Sequence, residues 1–466
     1  MTNTKLIQVL ESLSKKELSQ FKKYLRSPFF NHREDVLILF EHLNKELKKK
    51  KPKLSKEDIF AALFPNQKYV DTDFHLVMSY LFKLAENYIS IKAFLDDKNE
   101  GEIRLMQSYR KRGLSKHFSQ TSKRLREKLK KEPYRDRQYF QLSSRIIWEE
   151  YQVDVVSKPS GELPLREMIE LTDIAYFAQK LRQLCLIKAQ QSVYSTQYEL
   201  KEQEAILDYL TNFSLSEYPV LDIYFRANQL LSDDFERKDL SFFISKLISN
   251  SRFFQTEEVR ELYLIAINFC IKKVNEGSTE YFREMLDLYK DGLAKIYLLE
   301  NNRISRFAYH NAVAAALYSK DFEWAEGFIK NYQNNLEEAY REGSFSYNLA
   351  KLEFERQNYG KALQLLQKAN YHDILLNLAA KTILLKIYFE TDEFDLLEAH
   401  LDAMKSFIRR KEVIGYHRKN YQNLIRLTQK MMSVNHFEKS EIAKFRTEIE
   451  ATDILTERGW LLDKLS

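Results

Sequence analysis

The sequence predicts an all-α protein, and three observations carry that prediction. Its 466 residues include only 10 glycines and 7 prolines, and no proline lies beyond Pro219. Tight turns and helix breaks draw on those two residue types, so barrels, sandwiches and dinucleotide folds lack the turn chemistry they need. Charged residues make up 30% of the chain, with 28 Tyr and 31 Phe beside 3 Trp. That composition suits long amphipathic helices stacked through bulky side chains. The third observation is a repeated helical pattern near the C-terminus.

Taken in order, residues 1–96 predict a small helical module. Ser14 and Glu17 have the spacing of a capping box, in which hydroxyl and carboxylate satisfy amide donors at a helix start. The helix they open carries Leu18, Phe21 and Leu25 on one face and ends at Ser27-Pro28, because a residue before proline is disfavoured in the α region. Asn31, with Glu34 three residues on, is expected to cap the next helix. Ser55 starts a short helix that ends near Phe64-Pro65. A long one from Asp71 carries Phe74, Val77, Met78, Leu81, Phe82 and Ala85 at helical spacing. The helices over 55–64 and 71–96 have the order of a DNA-reading helix-turn-helix, but the second is too long and too apolar for a groove. Bundle packing accounts for them better. A basic pair of helices is predicted next, over 103–131 and 134–153 and hence a segment 103–155, divided at Glu132-Pro133. The stretch Val156–Pro164 is the clearest loop in the chain and is taken as the boundary before a helical array over 165–466 that closes with capping helices.

Within that array Phe322–Ile329 aligns with Tyr359–Leu366 and with Phe394–Leu401, at spacings of 37 and 35 residues. Asn311-Ala312-Val313 and Asn348-Leu349-Ala350 stand 14 residues before Ala325 and Ala362. These positions resemble the tetratricopeptide (TPR) pattern of about 34 residues, in which small side chains let two helices approach closely. The third unit departs from it, with Leu385 and Leu397 at the small positions, and the repeat-ending proline is absent throughout. Between Ile169 and Asn301 the helix lengths persist without a clean pattern, as in degenerate repeats. The segments Ser27–Asn31, Asn268–Gly277, Asp321–Ala325 and Leu385–Glu390 together resemble a family of uncharacterised bacterial all-helical proteins with TPR-like C-terminal regions. The resemblance implies an α-solenoid of helical hairpins behind a small N-terminal module, and it brings no activity with it.

Several functions are excluded or disfavoured. No two glycines lie closer than Gly101 and Gly113, so neither GxGxxG nor a P-loop can occur. The nine histidines contain no pair at i, i+4. Asp96–Gly101 has a glycine at the sixth place of a calcium loop, but Lys98 and Gln107 fall where oxygen ligands belong, so it reads as a solvated turn. The acidic run Asp233–Glu236 is likewise a turn. Cys185 and Cys270 share helix faces with apolar residues and read as small core side chains, not nucleophiles. No catalytic, cofactor-binding or metal site is therefore expected, and no enzyme. The opening MTNTKLIQVLESLSKKEL lacks an apolar run of signal-peptide length, and no stretch approaches the roughly 20 apolar residues of a membrane span. With two cysteines 85 positions apart and no disulfide framework, the expected location is the cytoplasm.

Two surfaces remain as candidates. Stacked hairpins leave a concave face that such folds use for protein or peptide partners, and on the middle unit Tyr347, Lys351 and Phe354 are expected to project from it. The alternative is nucleic acid. From Arg104 to Arg137 there are 13 Lys/Arg and 3 Asp/Glu, although the whole chain carries only +6. On the helix over 114–131, Leu114, Phe118, Leu125 and Leu129 form one face. Lys116, Lys123 and Lys130 recur every seven residues opposite, flanked by Arg124, Arg126, Lys128 and Lys131. Such a stripe could neutralise several phosphates of RNA or a ribonucleoprotein; a solvated face balanced by acidic neighbours is the preferred reading. The run Lys48–Lys53 is taken as a solvated connection.

Overall fold

The computed structural model describes residues 4–49, 55–157, 163–193, 198, 203–211, 213–232, 237–368, 371, 373–410, 416–434 and 438–465. Most of the boundary loop 156–164, most of the lysine run 48–53 and the acidic run 233–236 lie outside the described residues. Among those described there are 23 α-helices and no strand; one isolated antiparallel bridge joins Glu300 and Arg303. The chain is all-α. It divides into two compact units, Met1–Pro133 with Gln138–Ala175, and Tyr134–Arg137 with Tyr176–Ser466.

The first unit holds two separate hydrophobic clusters. One joins Leu6 and Ile7 of the Lys5–Ser12 helix, Phe21 of Lys15–Arg26, Phe40 of Glu34–Glu46 and Leu81 of Asp71–Asp96. The Ser14–Glu17 capping box forms as its spacing predicts: Ser14 N donates to Glu17 Oε2 at 2.9 Å and Glu17 N to Ser14 Oγ at 3.3 Å. Asn31 does something else than cap. The helix starts at Glu34, and Asn31 Nδ2 ties the preceding turn by donating to the Leu25 and Arg33 carbonyls at 2.9 and 2.8 Å. The other cluster holds Ile103, Met106, Phe118, Leu125 and Ile146. Its helices are Lys98–Lys111, Ser115–Lys131 and Arg137–Ser157, so the single helix expected over 103–131 is two. Gly113 breaks it, adopting φ +68°, while Leu114 N reaches back to the Tyr109 carbonyl at 2.9 Å. Asp97, in the calcium-loop-like stretch, caps the first of these helices through the Asn99 and Glu100 amides.

In the second unit the helices pair into hairpins closed by one recurring turn. Arg306–Tyr318 and Phe322–Tyr332, Glu338–Glu355 and Tyr359–Lys368, and Ile374–Glu390 and Phe394–Arg410 are successive pairs. Each first helix ends on a residue in the left-handed region: Lys320 (φ 57°), Gln357 (φ 62°) and Asp392 (φ 56°). The next amide then bonds five residues back, from Asp321 to Ala316, Asn358 to Glu353 and Glu393 to Tyr388, at 2.9, 2.8 and 2.9 Å. That is the Schellman closure of a helix C-terminus. Gly277 closes the upstream pair Thr256–Asn275 and Tyr281–Ala294 in the same way. Arg306–Tyr318 also packs against Glu338–Glu355, and Glu338–Glu355 against Ile374–Glu390, first helix on first helix. Ala312, Ala325, Ala350 and Ala362 are fully buried, as is Leu397. Both cysteines are buried free thiols, and burial pushes each pKa up to about 12.

The short segment Tyr134–Arg137 is held within this second unit. Asp136 is buried, and the Arg135 amide donates to the Phe253 carbonyl at 2.8 Å. The Tyr281–Ala294 helix has a close approach at Gly292, where a Cβ would meet Leu298 Cγ and Cδ1 at 2.8 Å and Tyr263 Cδ1 at 3.2 Å. Gly292→Ala is therefore expected to lower stability by about 1–3 kcal/mol through overpacking, despite alanine's better helix propensity. Urea unfolding followed by circular dichroism checks this; a stabilised variant would contradict it.

Candidate interaction surface

The basic segment is tied into its own unit. Arg126 pairs with Glu150 and, at 3.3 Å, with Glu167; Arg124 pairs with Glu102; Arg110 reaches the buried Glu149 at 2.8 Å. Lys128 donates to Asn99 Oδ1 at 2.6 Å. The paired Glu150 carboxylate holds the Arg126 guanidinium above its ordinary pKa. Lys116, Lys123, Lys130 and Lys131 are exposed, and among the described residues Lys116, Lys123 and Lys131 have no acidic partner. Arg110, Arg124 and Arg126 thus answer to carboxylates from neighbouring helices, and Lys116, Lys123 and Lys131 form a sparse outward row.

The three residues expected on the concave face are half-buried. Tyr347 lies edge-on to His310 with centroids 5.5 Å apart, and burial raises its hydroxyl pKa. Phe354 lies against Tyr359 at 5.5 Å, with the Lys386 ammonium 4.8 Å over its ring. Both rings pack on the cluster of Ala350, Ala362, Leu366 and Ala380. The C-terminal segment reaches this same end of the array. Lys386 pairs with Glu457 at 2.9 Å and lies 5.8 Å from the Trp460 ring, and Trp460 donates to Glu390 at 2.9 Å. Replacing Tyr347 or Phe354 by alanine would therefore remove packing as well as any contact with a partner.

An open cleft of 960 Å³ lies farther up the same row of first helices. Arg260 and Leu264 line it from Thr256–Asn275, Arg306 and Phe307 from the start of Arg306–Tyr318, and Tyr340 from the start of Glu338–Glu355. Arg303 enters from a two-residue turn whose corners, Asn301 and Asn302, both have positive φ (50° and 61°). Reciprocal amide bonds of 2.9 Å between Glu300 and Arg303 close that turn, and Asn335 Nδ2 pins it at the Asn302 carbonyl at 2.7 Å. Paired left-handed residues are what a tight primed turn requires, and asparagine tolerates them. Asn301-Asn302 was thus the sequence signal for this site, and the repeat pattern passes over it because it lies between hairpins.

The cleft's charges are unevenly satisfied. Arg260 pairs with Glu300 at 2.6 Å and holds that carboxyl below the usual range. Arg306 pairs with Asp373 at 3.1 Å and lies 4.1 Å over Tyr340 and 4.8 Å over Phe307. Among the described residues Arg303 has no carboxylate partner, and Phe307 is 65% exposed. Beneath the cleft, His310 Nδ1 meets Asn348 Nδ2 at 2.9 Å, and burial lowers the imidazole pKa to about 4. No group of three or more metal-ligating side chains occurs among the described residues.

Two measurements follow from these networks. Arg126→Ala is expected to cost about 1–3 kcal/mol of unfolding free energy by stranding Glu150, whereas Lys123→Ala changes it by less than about 0.5 kcal/mol. Equal effects in urea unfolding would contradict the division between structural arginines and solvated lysines. For His310 the folded pKa lies below the ordinary 6.5, so as pH falls the unfolded chain takes up the proton first. Its contribution is complete above pH 6.5 and is lost as pH falls toward 4, at most about 3 kcal/mol. His310→Gln should therefore flatten the decline of melting temperature over that interval; an unchanged slope would rule the assignment out.

Compared with protein-family models, curated proteins and solved structures, the chain matches none.

Proposed function

We propose that this chain is a non-enzymatic interaction protein. In this reading the second unit is a TPR-like α-solenoid that captures a protein or peptide partner along its row of first helices, behind an N-terminal helical module. The observation that carries the proposal is the cleft lined by three successive first helices, in which Arg303 has no described carboxylate partner and Phe307 stays largely exposed. The turns at Lys320, Gln357 and Asp392, at the repeat spacings of 37 and 35, support the solenoid reading. So does the packing of first helix on first helix, since stacked hairpins bury one continuous core and leave the inner row available. The resemblance to a bacterial family with TPR-like repeats accords with it. Buried free thiols suit a reducing cytoplasm, and no described helix is long and apolar enough to cross a membrane. The partner therefore docks on the upper part of the row, around Arg303 and Phe307, more readily than at Tyr347, Lys351 and Phe354. Nucleic acid is the lesser reading, because the arginines of the basic segment are engaged internally.

Site-specific photocrosslinking in cells tests this. A benzophenone amino acid at position 307 should capture a discrete protein partner that survives nuclease treatment, while the same group at the still more exposed Phe29 should not. Identical products from both positions, or products lost with nuclease, would reject the proposal.

A further inference from the structure

Two cation–aromatic junctions on the row of first helices are already filled by the chain's own carboxylates. At the first, Arg306 lies over Tyr340 and Phe307 and receives Asp373. At the second, Lys386 lies over Phe354 and near Trp460 and receives Glu457. Trp460 is further held edge-on to Phe389, with centroids 5.3 Å apart. The second junction matters most, because its carboxylate and indole both come from one segment, only three residues apart, laid across the Ile374–Glu390 helix. It shows on this molecule what kind of chain segment the surface accepts.

Arg303 offers a second cation beside the outward part of Phe307, whose ring already carries Arg306 on one side. Arg303 and Phe307 both line the open cleft, both are exposed, and among the described residues no carboxylate answers Arg303. Leu264, 37% exposed, adds an apolar wall. We propose that the cleft binds a short protein segment that brings a carboxylate to the Arg303 guanidinium and a bulky aromatic side chain to Phe307 and Leu264. The assignment rests on the interaction reading above and names its ligand. Charge decides against a polyanion. Three arginines line the cleft, two of them already paired, and Glu300 and Glu337 stand beside them. One carboxylate suits the remaining planar fork, whereas a run of phosphates would meet the two glutamates. The carboxylate can be an acidic side chain or a chain terminus.

The test is fluorescence anisotropy on the full chain with a fluorescein-labelled peptide copying Thr456–Leu462, blocked at both ends. Saturable binding is expected, weakened at least tenfold by Glu→Gln or Trp→Ala in the peptide and by Arg303→Gln in the protein. Arg303 is exposed, so Arg303→Gln should keep the wild-type melting temperature. A Gln peptide with a free C-terminal carboxylate that regains affinity, again lost on Arg303→Gln, would assign the terminus as the source. Absence of binding, or binding that Arg303→Gln leaves unchanged, overturns the proposal. The two readings fail separately. Partner capture at position 307 without peptide binding removes the ligand class and leaves the interaction role, while failure of both removes the two together.

Discussion

The second unit depends on a backbone constraint that recurs at the end of each first helix. One residue there must turn into the left-handed region so that the following amide can reach back five residues and close the helix. Only then does the next helix run back along the first closely enough for Ala312 and Ala325 to be fully buried and for Ala350 to share a core with Ala362. At Lys320, Gln357 and Asp392 that residue is not glycine, and a non-glycine side chain in this region costs on the order of 1 kcal/mol. The closure persists because the packing of two helices outweighs that local strain.

This explains which parts of the structure were legible in the sequence. The helices of the first 96 residues could be read because their signals are local: a capping box at Ser14, a proline after Ser27, a cap at Ser55. The hairpin repeat could be read because buried alanines recur at near-constant spacing. The turns could not, since Lys and Gln carry no left-handed signature and Asp only a weak one, whereas Gly113 did and its break was passed over within a continuous basic stretch. The cap assigned to Asn31 failed for a related reason. An Asn followed by Glu at the capping interval has the right chemistry, but the turn behind it claimed the side chain first.

The candidate site was legible only in part. A row of stacked first helices is what the repeat leads one to expect, so the general location was accessible. Which portion is open does not follow, because that depends on Glu457 and Trp460 meeting Lys386 and Phe389 from some 70 residues away. Periodicity cannot show such a tertiary contact. Charge counting met the same limit in the first unit. Thirteen basic residues in one stretch is a statement about sequence, and the pairing of Arg110, Arg124 and Arg126 with Glu102, Glu149, Glu150 and Glu167 is a statement about neighbours in space.

The division of the chain has a topological corollary. Tyr134–Arg137 belongs with the second unit although residues on both sides of it belong with the first. The polypeptide therefore passes between units three times, and no single cut yields two complete bodies. Severing at the 156–164 loop would leave the buried Asp136 and its short segment on the wrong fragment. Ribosomal synthesis faces the same geometry: the first unit emerges containing four residues whose own surroundings have yet to be made. That segment can settle only after much of the second unit has been translated, which couples the maturation of the two halves even though each has its own core.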